Sequence, residues 1–339
     1  MTRNKEDINE QLTLGIVIPC YNEAAVIDAL YAELKNFMEE AAYEVRVLFV
    51  NDGSYDKTPL MLKDICERDG RFAMLSLSRN FGHQAAVSAG LLHIKGDVVG
   101  VMDGDLQDPP AAFNGMIEKW RQGFDVVYGI RKNRKENVLL KGAYALFYRL
   151  LNRLANVDIP LDAGDFSLMD RHVVDTINKM PEHNRFVRGL RGWVGFDHTG
   201  YLYERSPRAG GAPKYNLKKL VQLAFDGIIS MSSFPLRIAS WLGAIAALLG
   251  IIYAVYALGQ VFFFNHPPSG WTSLVMLIIF FGGVQLIVLG IIGEYLGRVF
   301  DEVKNRPHYV IQNTEGWISN SEKIKPTSKI QSSSRRQSD

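Results

Sequence analysis

VVGVMDGDLQDPP, residues 98–110, decides how the rest of the chain is read. An apolar run, Val98–Met102, ends abruptly in Asp103, Asp105 and Asp108, with Pro109 and Pro110 directly behind. The run is apolar at successive positions, so both its faces are expected to be buried, as in a central strand. Asp, Gly and Pro after a strand are ordinary turn chemistry. Several carboxylates at one buried strand end are a different matter, because like charges raise one another's pKa unless a cation sits among them. A divalent metal with hard oxygen ligands resolves that conflict, and such a metal commonly holds a substrate diphosphate. Asp108 is expected instead to cap the helix begun by Pro109–Pro110.

Working outward, the same grammar repeats. Leu14–Ile18 is an apolar run followed by a proline break and then a helical pattern. Val45–Val50 is a second run, closed by Asn-Asp-Gly and followed by a helix over about 56–69. FAMLSLS, 72–78, reads as a third strand, and HQAAVSAGLLHI, 83–94, as a helix of small residues. FDVVYGIR, 124–131, reads as a fifth strand after the helix that follows the acidic turn. Strands alternating with helices predict βαβ units and a mainly parallel α/β sheet. Ligands in such sheets bind outside the carboxyl ends of the strands. Three polar clusters, PCYNE (19–23), NDGS (51–54) and DGDLQD (103–108), fall at those ends and are expected to share one crevice. A helical pattern follows over 141–156, then an acidic turn in IPLDAGDFSLMDR, 159–171. WVGFDHTGYLYERSP, 193–207, reads as one or two strands leading out of the domain.

The chain has 339 residues, 47% of them hydrophobic, and a net charge of +2. That balance gives no reason to expect a nucleic-acid partner. The average hides a division. Residues 238–264 and 271–293 carry no charged side chain, and both runs exceed the roughly 20 helical residues that cross a bilayer core. Soluble core helices of that length keep a polar face, so a membrane hairpin is the expectation. The connection NHPPSG, 265–270, holds no Lys or Arg, whereas Lys214, Lys218, Lys219, Arg237, Arg298, Lys304 and Arg306 flank the outer ends. The positive-inside rule then places the sheet domain and both termini in the cytoplasm. Residues 1–13 are polar, so no signal peptide is expected. Amphipathic juxtamembrane segments are expected at 214–236 and 297–313, and a disordered tail at 314–339. Cys20 and Cys66 are too few for a disulfide framework or metal cluster and read as structural.

No Walker A loop is present, and no G-x-G-x-x-G follows the first strand, which argues against a P-loop NTPase or a dinucleotide oxidoreductase. IVIPCYNE, VNDGSYDKT, LSRNFGHQAAVSAGL, DGDLQDPP and GDFSLMDR together resemble the family 2 glycosyltransferases of GT-A (Rossmann-like) fold. More narrowly they resemble the polyprenyl-phosphate branch, alongside dolichol-phosphate mannose synthase, and within it the bacterial two-span GtrB or bactoprenol glucosyltransferase type. The resemblance covers about residues 13–311.

It implies a cytoplasmic GT-A domain over 1–213 and two transmembrane helices within 237–296, in the bacterial inner membrane. It implies inverting transfer of a hexose from a nucleotide sugar, UDP-glucose first among the donors, to undecaprenyl phosphate. GDP-mannose, UDP-4-amino-arabinose and UDP-N-acetylhexosamine stay open as donors. Asp103 would approach nucleotide and metal, Asp105 would coordinate the metal, and Gln107 would complete the set around Mg²⁺ or Mn²⁺. Pro19, Tyr21 and Glu23 match the nucleotide-cradling first loop, Asp52 the reader of the base edge, and Arg79, with Asn80, the nucleotide pocket. Asp165, in GDF, matches the proposed catalytic base, with Asp162 its nearest rival. A phosphate acceptor is already ionised at pH 7, so Asp165 is expected mainly to orient the acceptor or a metal, or to take a residual proton. Arg131, then Arg134, match phosphate contacts, and Arg208 and Lys214 match a basic loop that closes over the site on Gly210–Gly211. Read alone, the same run is a basic patch beside an anionic membrane. His83 is expected to be structural or beside the substrate. A homotetramer is implied by likeness alone. Two other classes are weighed: a processive polysaccharide synthase, whose Q-x-x-R-W motif RGLRGWVG at 188–195 does not match, and a non-catalytic scaffold, which would have lost its metal ligands.

Overall fold

The computed structural model describes residues 12–132, 164–182, 185–204, 234–264 and 270–318. The apolar runs become strands β1 (Thr13–Cys20), β2 (Glu44–Asn51), β3 (Phe72–Leu77), β4 (Val98–Val101) and β5 (Val126–Arg131). Between them lie helices α1 (Ile27–Glu40), α2 (Thr58–Arg68), α3 (His83–His93) and α4 (Ala112–Arg121). Then come β6 (Ser167–Asp170), α5 (Arg171–Asn178), α6 (Val187–Trp193) and β7 (His198–Tyr203). Two long helices, α7 (Phe234–Phe264) and α8 (Trp271–Lys304), precede a last strand, β8 (Ile311–Gly316).

One sheet holds all eight strands in the order β7-β5-β6-β4-β1-β2-β3-β8. Every neighbouring pair is parallel except those made by β6 and β8. Alternate residues supply two cores: Leu14, Ile16, Phe49 and Phe72 face α1, α2 and α4, whereas Val17, Leu48, Val50 and Leu75 face α3 and α5. Strand order reverses at β1 and β4, which opens the crevice between their carboxyl ends. β1 does not stop at the expected proline break. It runs through Pro19 to Cys20, pairing with Val50 and Asn51. Val17 O accepts from Met102 N, so by alternation the nitrogen of Pro19 also faces the β4 side. β4 has already ended there, and the missing N–H costs no ladder bond.

Three boundaries differ from expectation. β7 does not lead out of the domain; it is the sheet's edge, parallel to β5. The acidic turn of GDFSLMDR contains β6, which lies antiparallel between β4 and β5. α8 continues without interruption through Lys304, and the chain then returns to the sheet as β8. The sheet domain therefore does not close at residue 213, and the start of the segment expected as a tail, 314–339, is in the sheet: Thr314–Gly316 pair with β3 and Ile318 is buried, while residues 319–339 lie outside the described residues. Asn305, in the left-handed region, ends α8.

α7 and α8 contain windows of mean hydropathy 2.2 and 2.7, and only 11% and 0% of these windows is buried. Core helices of a soluble domain would be covered; these two are not, and both are long and apolar enough to cross a membrane. They meet where Gly250 faces Phe281; an added Cβ would lie 3.0 Å from the ring.

Candidate active site

The loop after β1 and the loop after β2 are laced together. Asn22 N donates to Ser54 Oγ at 3.0 Å, and Tyr55 N donates back to Asn22 Oδ1 at 3.0 Å. Glu23 N donates to Thr58 Oγ1 at 2.9 Å, and Ala24 N to Asp56 Oδ2 at 3.2 Å. Tyr21 is exposed at the crevice mouth and meets Tyr55 edge-on at 6.1 Å. Asn51 Oδ1 accepts from Ser54 N at 3.1 Å. Gly53 has φ +63, and a side chain there would collide with the backbone of Arg79.

Asp52 is the residue expected to read a base edge. It is 3% exposed, and its two oxygens accept from Phe81 N at 2.7 Å and Gly82 N at 3.0 Å. Burial raises its pKa, against the pull of those two amides. Asp52 thus clamps the loop that leads into α3. Arg79, exposed in the same loop, lies over the Phe81 ring at 4.1 Å.

The acidic stretch leaves β4 across the end of β1: a Cβ on Gly104 would sit 3.4 Å from Pro19 O. Asp105 Oδ1 accepts from Gln107 N at 3.2 Å around Leu106, whose φ is +60. Asp108 does not cap the following helix. The N-cap of α4 is Ala111, with no side-chain cap. Asp108 is buried instead and accepts from the Tyr203 phenol of β7 at 2.6 Å. The first amides of α4 are taken by the turn itself: Ala112 N, Phe113 N and Asn114 N donate to Pro109 O, Pro110 O and Ala111 O.

β6 enters the crevice antiparallel, and so carries Asp165, just before its first residue, to the end where Asp103 lies. His83, the first residue of α3, stands between them, with Nε2 3.5 Å from Asp165 Oδ2 and 3.9 Å from Asp103 Oδ1. Arg188 of α6 reaches Asp165 from the other side, Nη2 to Oδ2 at 3.2 Å and Nε to Oδ1 at 3.4 Å. Burial alone would raise the Asp165 carboxyl, but the Arg188 guanidinium and then His83 hold it well below the usual range. Asp103 goes the other way: burial, with Asp165, Asp108 and Asp105 nearby, pushes it up to about 6 despite His83. His83 is drawn down by burial, yet the Asp165 bond and the Asp103 charge leave it raised. Arg131, at the end of β5, lies near the Tyr203 phenol, with Nη2 about 4.0 Å from where a Cβ of Gly164 would be.

Arg134, Asp162, Arg208, Lys214 and the expected helix over 141–156 lie outside the described residues. Arg188 and Arg191 were missed as site residues. Their signal was the stretch RGLRGWVG, which fails as Q-x-x-R-W and places its arginines only once the fold does. Cys20 and Cys66 are free and buried, and burial pushes the Cys66 thiol up to about 12, as inert structural thiols require.

The oxygens of Asp103, Asp105 and Gln107 are hard donors, and the charges acting on Asp103 are three carboxylates against one histidine. That donor set fits a divalent cation. A second cluster, Asp125, Asp170 and His172, lies at the opposite, amino ends of β4 and β5. Asp170 there accepts from Trp120 Nε1 at 2.7 Å and from His172 N at 3.0 Å, and caps α5. Its carboxylate is committed to the fold.

The acidic strand end and a facing carboxylate held by arginine thus share the carboxyl ends of the strands, where ligands bind in such sheets. Residues 15–177 match glycosyl transferase family 2, and residues 234–299 match the GtrB C-terminal hairpin. A glycosyltransferase of Bacillus subtilis (strain 168), YkcC, described as uncharacterized, is 43% identical over 91% of this chain and 96% of its own. The SfII prophage-derived bactoprenol glucosyl transferase of Shigella flexneri is 40% identical over 89% of this chain and 98% of its own. The prophage bactoprenol glucosyl transferase homolog of Escherichia coli (strain K12) is 39% identical over 90% and 100%. The chain belongs to glycosyl transferase family 2 and carries the GtrB hairpin; it is a glycosyltransferase.

Proposed function

We propose that the chain transfers one hexose, glucose from UDP-glucose, to undecaprenyl phosphate at the cytoplasmic face of the bacterial inner membrane. One observation carries the reading: Asp103 and Asp165, from separate strands, meet across His83 at the carboxyl ends of β4 and β1. The names of the relatives, bactoprenol glucosyl transferases, support the lipid acceptor. The hairpin supports it too, since an acceptor whose tail stays in the bilayer must meet a soluble donor at the surface.

The acceptor phosphate oxygen attacks the anomeric carbon from the face opposite the diphosphate. The C1–O bond to the diphosphate breaks as the new one forms, so the anomeric centre inverts and UDP departs. No proton need be removed, because a phosphate monoester has its second pKa near about 6. Asp165, held ionised by Arg188, is poorly suited to be a base and well suited to orient the acceptor. Arg131, with Arg208 and Lys214 of the basic loop, supplies positive charge to the reacting phosphates. Asp103, Asp105 and Gln107 would hold Mg²⁺ or Mn²⁺, which neutralises charge on the departing diphosphate when bound. Tyr21, Glu23 and Arg79 line the nucleotide side, with Pro19 and Asp52 shaping it. Orientation with both termini inside rests on the flanking Lys and Arg, and homotetramer assembly on family likeness.

The test is the full chain in lipid nanodiscs with Mg²⁺, undecaprenyl phosphate and a panel of radiolabelled nucleotide sugars. Label from UDP-glucose is expected in the organic phase as a single-sugar lipid. Label from another donor would move the assignment of the sugar. Label only in polymer, or in no lipid with any donor, would overturn the reading.

A further inference from the structure

The stretch RFVRGLRGW, 185–193, supplies Arg188, which keeps Asp165 ionised, and a second arginine, Arg191, beside it. In the fold most of it is α6, whose first turn is tied to α3: Val187 N donates to Gln84 Oε1 at 2.9 Å. Arg188 and Arg191 are three residues apart and so share a helix face. That face meets the turn before β6. Arg188 forks Asp165 through Nη2 and Nε, and Arg191 Nη2 donates to Gly164 O at 3.1 Å. Arg191 is 7% exposed, so its guanidinium is built into the wall. Among the described residues, the other ionic contact to the Asp165 carboxylate comes from His83, the residue beside Gln84. Two consecutive side chains of α3 thus fix Asp165, one directly and one through α6.

We propose that Arg188 is a positioning residue for glycosyl transfer: its two-point grip holds the Asp165 carboxylate in the orientation that faces the acceptor, while Arg191 fixes the backbone beneath. The inference rests on the reading of Asp165 as the group that orients the acceptor. Asp165 precedes β6 in a turn, where one contact would leave the carboxylate free to rotate. A planar guanidinium removes that rotation, and an ammonium, which bonds as a point charge, does not. The charges agree with the geometry. Burial and the neighbouring Arg188 bring Arg191 down to about 10, as expected where two guanidinium groups crowd one carboxylate. A fixed anion with excess positive charge behind it is suited to a phosphate that must approach without being repelled.

The experiment uses the full chain in nanodiscs with undecaprenyl phosphate and UDP-glucose. It measures kcat, donor Kd by calorimetry, and Tm. Arg188→Gln is expected to lower kcat about 10²-fold, the cost of misplacing a reacting partner by about 1 Å. Donor Kd should stay within about twofold, since a lost orientation does not touch it, while Tm should fall because Asp165 loses the partner that stabilises its charge. Arg188→Lys should restore part of kcat. The pair Arg188→Gln with Asp165→Asn should be no slower than Asp165→Asn alone, because the two act as a unit. Wild-type kcat in Arg188→Gln beside an inactive Asp165→Asn overturns the inference and leaves the reading of Asp165 standing. Wild-type kcat in Asp165→Asn overturns both. A fall in donor affinity as large as the fall in kcat makes Arg188 merely structural and overturns it as well. Should the Gln variant fail to fold, Arg188→Lys carries the test: reduced kcat at unchanged donor Kd supports positioning, and wild-type kcat refutes it.

Discussion

The two walls of the crevice are built by different means. The loops after β1, β2 and β3 are held by side-chain bonds to backbone amides: Ser54 and Thr58 on the first loop, Asp52 on the third. The wall from β4 and β6 is held by charge, in the series Asp103, His83, Asp165, Arg188. Amide bonds fix a shape that is the same with or without a ligand. Charges that only partly balance fix a shape that a cation or a phosphate can complete. The amide-held wall is therefore a mould, and the ionic wall is where binding and chemistry change the energy most.

The sharpest way to break this comparison is to remove the acidic centre. Asp105→Ala, or chelation of divalent cations, is expected to lower transfer about 10³-fold, the scale of losing a group that meets developing negative charge. Organic-phase label with and without added Mg²⁺ measures it. Activity that survives both treatments would show that the ionic wall does not depend on a metal.

Next in size is Asp165→Asn, which keeps the shape and removes the charge. It is expected to lower kcat about 10²-fold while donor binding holds. Titration calorimetry with UDP-glucose beside single-turnover rates separates the two. Weaker donor binding with little change in rate would move Asp165 to the mould.

The mould should answer differently. Asp52→Asn replaces one acceptor oxygen by an NH₂ facing a backbone donor, either Phe81 N or Gly82 N. That leaves a buried amide unmatched and is expected to cost about 2 kcal/mol of stability. The visible result is a lower melting temperature and a higher donor KM, with kcat at saturation much less affected. An unchanged melting temperature would mean that the third loop holds its shape without this clamp.

The same contrast explains what was legible in the sequence. β1 to β5 announce themselves because they are buried on both faces, and a continuous apolar run has few other uses. The acidic strand end was legible for the same reason, as charge directly behind such a run. β6 is four residues, SLMD, too short to show a period, and β8, IQNTEG, is a polar edge strand. Both are made by pairing with distant partners, β4 and β5 for one and β3 for the other, which no local pattern records. Asp108 looked like a cap because an Asp before two prolines usually is one; its bond to Tyr203 spans 95 residues. Arg188 was visible only as part of a failed motif, because its meaning lies in where α6 packs.

That long bond offers the smallest and most specific test. Tyr203 sits on the edge strand β7, and its phenol donates to the buried Asp108 behind the acidic loop. Its ring packs on Phe166 at 5.1 Å, the residue after Asp165. Tyr203→Phe keeps the ring and removes only the donor, so β7 should stay in the sheet. Asp108 keeps its other contacts but loses one hydrogen bond, and stability is expected to fall by about 1 kcal/mol. Turnover should fall less than in any ionic-wall variant, because the lost bond anchors the acidic loop from behind and touches no reacting group. A melting temperature equal to wild type with strongly reduced turnover would reverse the assignment. It would make the Tyr203–Asp108 bond part of the ionic wall, and the wall would then extend from Arg188 to the far edge of the sheet.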